Sequence, residues 1–223
     1  MCGRYLTPDQ AAIERYWGLA SPPDYFPSYN VGPSQRAPVI RLDQHGNRGL
    51  SLLTWGYQPG WAKRAWINAR SETVFTLKAF ARAAQRHRCL VPALGWYEWQ
   101  GSEAPKQPFV FHLEDFQPLA FAGIWTARET PDGWQRSFAI LTTEASGPLR
   151  EIHERKPVVL NPDDYAAWLA PETSAEVAEG ILRRDIAGIS TYAVSAYVNK
   201  PANDDARCIE PSEKLIRGPD QNT

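Results

Sequence analysis

Along this chain, apolar and polar positions mostly alternate with a period of two or gather into short apolar blocks, the pattern of strands. Leu50–Tyr57, Cys89–Trp99, Phe109–Leu113, Leu119–Ala127, Ser137–Thr143, Val158–Leu160 and Thr191–Val198 are rich in β-branched and aromatic residues and are bounded by Gly, Pro or Asp. Helical spacing is rarer. Thr7-Pro8-Asp9-Gln10 reads as an N-cap, a proline at the first helical position and a capping-box glutamine, opening a helix to about Trp17. A second helix is expected from Ser71 or Glu72 to Arg86, with Phe75, Phe80 and Ala84 inward and Lys78, Arg82 and Arg86 neighbours on the outer face. Two short helices are expected at Asp163–Leu169 and Ser174–Arg184. Strands in runs, with helices inserted irregularly, predict an α+β fold: one β-rich domain of largely antiparallel sheets with a few peripheral helices.

The segment Ser21–Pro38, with five prolines and two tyrosines, reads as a long ordered loop, because too few residues precede it to form a separate domain. The 223 residues suit one domain, and 43% hydrophobic with 22% charged residues excludes collagen-like, coiled-coil and disordered chains. A domain over residues 1–210 with a flexible tail at 211–223 is expected. No stretch approaches the roughly 18 apolar residues of a membrane span, and the N-terminus lacks an apolar signal region. Cys2, Cys89 and Cys208 cannot all pair and fit no metal spacing, so they are expected to be free thiols in the cytosol. Neither a GxGxxG nor a Walker loop occurs.

Charge adds an asymmetry. Lys63, Arg64, Arg70, Lys78, Arg82, Arg86 and Arg88 face the single acid Glu72 between residues 63 and 88, in a protein whose net charge is −1. This is a basic field suited to a polyanion, or else a solvated helix face.

The candidate chemistry starts at Cys2. Excision of Met1 is expected, because the cysteine side chain is small, and would leave a terminal residue carrying two nucleophiles. The α-amine ordinarily titrates at about 7.7–8.0 and the thiol at about 8.5, so both are partly available near neutrality. Such an aminothiol can condense with an aldehyde and close a five-membered thiazolidine. It can also serve as an N-terminal nucleophile with its own amine as base. Glu98, between Trp96 and Trp99, is either a carboxylate whose pKa is raised by desolvation or a polar position on an alternating strand. His153, Arg4, Arg70 and Arg155, read singly, are as consistent with surface positions, and Trp61 with a core tryptophan.

Six blocks change that balance: Met1-Cys2-Gly3-Arg4-Tyr5, Tyr29-Asn30-Val31-Gly32-Pro33, Trp55-Gly56-Tyr57-Gln58-Pro59-Gly60-Trp61, Ile67-Asn68-Ala69-Arg70-Ser71-Glu72, Gly95-Trp96-Tyr97-Glu98-Trp99 and Ile152-His153-Glu154-Arg155-Lys156-Pro157. In order and spacing, from residue 1 to about 210, the chain resembles the SOS-response-associated peptidase (SRAP) family. The resemblance implies binding of abasic sites in single-stranded DNA and a reversible thiazolidine crosslink between Cys2 and the ring-opened sugar aldehyde. It also implies autopeptidase removal of Met1 and a possible lyase activity. Cys2 would be the nucleophile, Glu98 and His153 would carry protons, and Asn68 would orient the reactants. Arg4, Arg70 and Arg155 would bind phosphates, with Asn30 and Trp61 also at the DNA. Trp61 would stack on a base or duplex end. No metal or organic cofactor is called for, and the chain is expected to be a monomer, cytoplasmic and at the nucleoid when DNA-bound. Two departures from the family pattern stand out: Ala62, where a second aromatic can occur, and Gly32, where Ala is more usual. The rival readings are an N-terminal-nucleophile hydrolase using Cys2 and a non-enzymatic reader of modified DNA bases.

Overall fold

The computed structural model describes residues 2–19, 24–101 and 106–212. The chain runs β1 (Arg4–Leu6), α1 (Gln10–Trp17), β2 (Arg36–Leu42), β3 (Arg48–Trp55), β4 (Asn68–Arg70), α2 (Ala81–Arg86), β5 (Arg88–Ala93) and β6 (Gly95–Gln100). It continues with β7 (Gln107–His112), β8 (Leu119–Thr130), β9 (Gly133–Glu144), α3 (Leu149–Ile152), β10 (Arg155–Pro157) and β11 (Val159–Leu160). The last elements are α4 (Tyr165–Leu169), α5 (Ala175–Leu182) and β12 (Ser190–Ala193).

Two sheets organise these strands. One has the order β1-β6-β7-β12, with every pairing antiparallel. In the other, β2 pairs β3, β3 pairs β9, β9 pairs β8, β8 pairs β5 and β5 pairs β2, so the pairings close a ring. The ring is antiparallel except at the β3–β9 seam of Thr54–Ser137 and Trp55–Phe138. β10 and the parallel strand β4 attach to the end of β9.

Alternation along the strands builds the core. Tyr5, Trp96 and Phe111 on one face of the first sheet pack with Val39, Leu53, Phe121 and Phe138 of the ring. Leu6, Tyr97 and Val110 on the opposite face pack against Val194, Val198 and Cys208. The helices cover the ring through Ile13, Ala84, Trp168 and Ile181, which meet Ile40, Leu90 and Leu141.

Several elements differ from the sequence expectation. The Cys89–Trp99 run is two strands in two sheets, parted at Leu94, whose N–H donates to Leu6 O at 2.9 Å. Gly95 permits the crossing, since a Cβ there would lie 2.4 Å from the Phe111 carbonyl oxygen. The expected second helix is confined to Ala81–Arg86, and residues 71–80 form successive turns. Thr73, Val74 and Thr76 disfavour helix there, and Thr76 Oγ1 donates to the Thr73 carbonyl at 3.1 Å. Lys78 therefore lies outside α2, and Arg88 is buried, donating to the carbonyls of Ala84, Trp168 and Ala170. Asp9 rather than Thr7 caps α1, accepting from Ala12 N at 2.7 Å. The end of the Ser21–Pro38 loop is the start of β2, and residues 20–23 lie outside the described residues. Pro211 and Ser212 belong to the fold, because Ser212 N donates to Ala193 O at 2.9 Å. The remaining tail, 213–223, lies outside the described residues.

Candidate active site

Three separate elements converge on Cys2. The residue precedes β1 and is fully buried. β1 lies beside β6, with Arg4 opposite Tyr97, so the start of the chain runs along the strand that carries Glu98. From β4, Asn68 Nδ2 donates to the Cys2 carbonyl oxygen at 2.8 Å. The Asn68 Oδ1 is buried and accepts no hydrogen bond among the described residues. It is an acceptor held in place beside Cys2.

Burial sets the protonation of this cluster. Desolvation, reinforced by the neighbouring Glu98 carboxylate, pushes the Cys2 thiol well above its ordinary range. The thiol thus holds its proton more firmly than the slightly ionised thiol of an exposed cysteine would. Glu98 is 3% exposed, and burial raises its carboxyl to about 7, as its tryptophan flanks imply. His153 Nε2 lies 4.0 Å from Glu98 Oε2. Burial lowers the His153 imidazole pKa. A carboxyl that titrates at about 7 holds its proton about half the time at pH 7, and the lowered imidazole beside it favours its neutral form, so a proton can be exchanged near neutrality. The backbone N–H of Arg155 lies 3.0 Å from His153 Nδ1. Donating there, it leaves Nε2 to face the carboxyl.

The predicted binding residues divide. Arg70, at the end of β4, is exposed and lines a 250 Å³ pocket with Glu144, Arg150, Glu154 and Arg155. Trp61 is 65% exposed at the tip of a loop closed by mutual backbone hydrogen bonds between Tyr57 and Trp66. Its ring leans on Trp66 at 5.9 Å. Arg4 is half-buried, and its Nη1 donates to Asn30 Oδ1 at 2.8 Å. Asn30 itself is buried, and its Nδ2 donates to the carbonyls of Val198, Lys200 and Asn203. Its side chain is therefore committed to anchoring the 198–203 segment, a correction to its assignment at the DNA. At Gly32 a Cβ would sit 3.4 Å from Arg4 Nε, within ordinary contact, so the space there also admits Ala.

Arg155 also departs from expectation. It is 7% exposed, and its Nη1 and Nη2 reach Glu72 Oε1 and Oε2 at 2.7 and 3.0 Å. Nη2 also donates to Thr142 O at 2.6 Å. Its phosphate-binding fork is spent on a clamp from β10 across β9 to the segment after β4. Glu72 and Thr142 are thus site-supporting residues to which sequence reasoning gave no role. The available signal was that Glu72 is the single acid of the basic stretch.

The model of the family described as SOS response associated peptidase (SRAP) matches residues 1–201. The chain belongs to this family. Among SRAP relatives, it is 35% identical to the abasic site processing protein YoaM of Bacillus subtilis, over 96% of this chain and all of that one. It is 32% identical to the abasic site processing protein YedK of Escherichia coli, over 95% of this chain and all of that one. A crystal structure of a Bacteroides thetaiotaomicron protein superposes with a TM-score of 0.81 at 21% identity, covering 95% of this chain and all of the other, which establishes the fold. Three SRAP blocks noted in the sequence, those carrying Cys2, Asn68 and Glu98, are contiguous through β1, β4 and β6; the fourth, with His153, reaches them from the β10 side.

Proposed function

We propose that this SRAP protein captures abasic sites in single-stranded DNA through Cys2, in keeping with the names its relatives carry. The observation that carries the reading is the convergence of Asn68, Glu98 and His153 on the second residue of the chain. An internal catalytic cysteine needs no such position. A terminal aminothiol does.

After Met1 is removed, the Cys2 amine adds to the C1′ aldehyde of the open sugar, giving a carbinolamine. Glu98, titrating near 7, delivers a proton to the hydroxyl, which leaves as water to form the imine. The thiol then adds to the imine carbon. The imine is protonated at nitrogen, so as the sulfur–carbon bond forms the thiol proton restores Glu98 and the nitrogen keeps its one hydrogen, closing a thiazolidine with net loss of one water. The reverse sequence releases the aldehyde. His153 exchanges protons with the sugar as it opens, and the Asn68 Oδ1 accepts from the Cys2 amine or the sugar hydroxyl. Arg70 and Arg4 face the phosphates, and Trp61 offers a stacking surface, worth roughly 1–3 kcal/mol per base. No metal or cofactor enters this chemistry.

The test is intact-mass spectrometry before and after incubation with a single-stranded oligonucleotide carrying one abasic site. The expected product is protein without Met1 plus oligonucleotide minus one water, absent for Cys2→Ala, which keeps most of its non-covalent affinity. Loss of Met1 with turnover of an amide substrate and no adduct would shift the assignment to an N-terminal-nucleophile hydrolase. Retention of Met1 would exclude both covalent routes.

A further inference from the structure

Before the Thr54–Ser137 pair, β3 and β9 diverge. They pair at Thr54–Ser137 and Trp55–Phe138 and nowhere else among the described residues. Before that seam, β3 pairs β2 on its other side, and the start of β9 pairs β8. The gap between them is a groove of about 680 Å³, within the range that holds a nucleotide-sized ligand. Arg36, Ser51, Leu52, Thr54, Trp134 and Arg136 form much of its lining, which includes no acid. Trp134 is 64% exposed, so its ring offers an open stacking face on the groove wall. Both arginines are exposed. Arg36 Nη2 makes one long contact with Leu52 O at 3.2 Å, and neither arginine has an ion pair among the described residues.

We infer that this groove is a second nucleic-acid subsite, in which a base stacks on Trp134 while Arg36 and Arg136 take the flanking phosphates. An exposed indole beside two uncommitted guanidiniums is the combination that holds single strands without reading their sequence. The groove also connects to the first site. Gln135, on its wall, accepts from Arg128 Nη2 at 2.9 Å. A Cβ on Gly60, in the Trp61 loop, would lie 4.0 Å from the Arg128 Cβ. A strand leaving Cys2 past Trp61 is thus led toward the groove. From Trp134 to Ile140, the partner of Asn68, is about 20 Å along β9 at strand rise, so a strand must run well past Trp61 to reach both Cys2 and the groove.

This inference rests on the DNA reading above, and the experiment separates the two. Fluorescence anisotropy gives the affinity of the full chain for undamaged single strands of about 4 and about 16 nucleotides, lengths that bracket common site sizes. The readout is the ratio of the two affinities, which cancels any general loss of folded protein. In the wild type the long strand binds more tightly. Trp134→Ala is expected to reduce that ratio roughly 5- to 100-fold, with Trp134→Phe retaining most of it. Arg36→Ala and Arg136→Ala should each lower the magnitude of the salt slope for the long strand by about 0.7. A ratio unmoved by Trp134→Ala overturns the subsite while leaving the Cys2 reading intact. Binding of neither strand overturns both. Capture of a poly-glutamate peptide that needs Arg36 and Arg136, with the DNA ratio unmoved, would make the groove a protein-docking edge and also overturns the proposal.

Discussion

Glu98 is a carboxyl that folding holds protonated. Its pKa is about 7 in the folded chain against an ordinary 4.5, with burial as the main cause. Between those two pH values the folded state binds more protons than the unfolded state, so stability falls as pH rises and levels off above about 7. Glu98→Gln removes the ionisation. Urea denaturation should show the variant gaining on the wild type by on the order of 1–3 kcal/mol between pH 5 and pH 8. A difference that stays flat across that range would mean that the carboxyl is not held neutral. The same substitution should slow crosslinking and flatten its pH profile near 7, since the amide cannot pass protons. Glu98 was legible because two tryptophans flank it. The committed side chain of Asn30 was not, because its three carbonyl partners lie about 170 residues away in sequence.

Between elements, the Arg155 clamp ties together the segments that carry His153 and Asn68. The Arg155 backbone N–H meets His153, and its side chain meets Glu72, two residues beyond β4 and its Asn68. Removing Glu72 leaves an almost fully buried guanidinium with one partner fewer, which is costly even though Glu72 is itself partly exposed. Glu72→Ala should destabilise the chain by about 1–3 kcal/mol, read as a shift in denaturation midpoint. Glu72→Gln, which keeps one acceptor, should recover part of the loss, and equal midpoints for wild type and Glu72→Ala would refute the clamp. At this scale the sequence spoke unevenly. The long alternating runs β3, β7, β8 and β9 were visible because local pattern determines them. The three-residue strands β1 and β4 were not. They exist through partners on β6 and β9, and they are the strands that place Cys2 and Asn68. The division of Cys89–Trp99 between two sheets was hidden for the same reason: both halves are apolar, and only the close approach at Gly95 separates them.

For the molecule as a whole, the basic residues of the 63–88 segment act as a field more than as a helix face. Lys63, Arg64, Arg70, Lys78, Arg82 and Arg86 are exposed, while Arg88 is consumed internally. Non-covalent affinity for a single strand should fall linearly in log–log terms with salt, each neutralised phosphate contributing a slope of about −0.7. Arg70→Ala should reduce the magnitude of that slope by about 0.7. A salt-independent affinity would mean that stacking alone holds the strand. The fold class was readable from composition and period because an α+β domain is largely a matter of strand patterning. The closed ring was not, since it depends on the two-pair parallel seam between β3 and β9.

All three cysteines are buried, and burial raises the pKa of each thiol. The native protein should therefore be nearly silent toward a colorimetric disulfide reagent and react with three equivalents once unfolded. Small electrophiles and peroxides, which attack thiolate rather than thiol, meet no ready target at Cys2 until the pocket opens. On the proposed reading, an aldehyde-capturing Cys2 would thereby be shielded from the soluble aldehydes of a cell, to an extent set by how often the fold breathes.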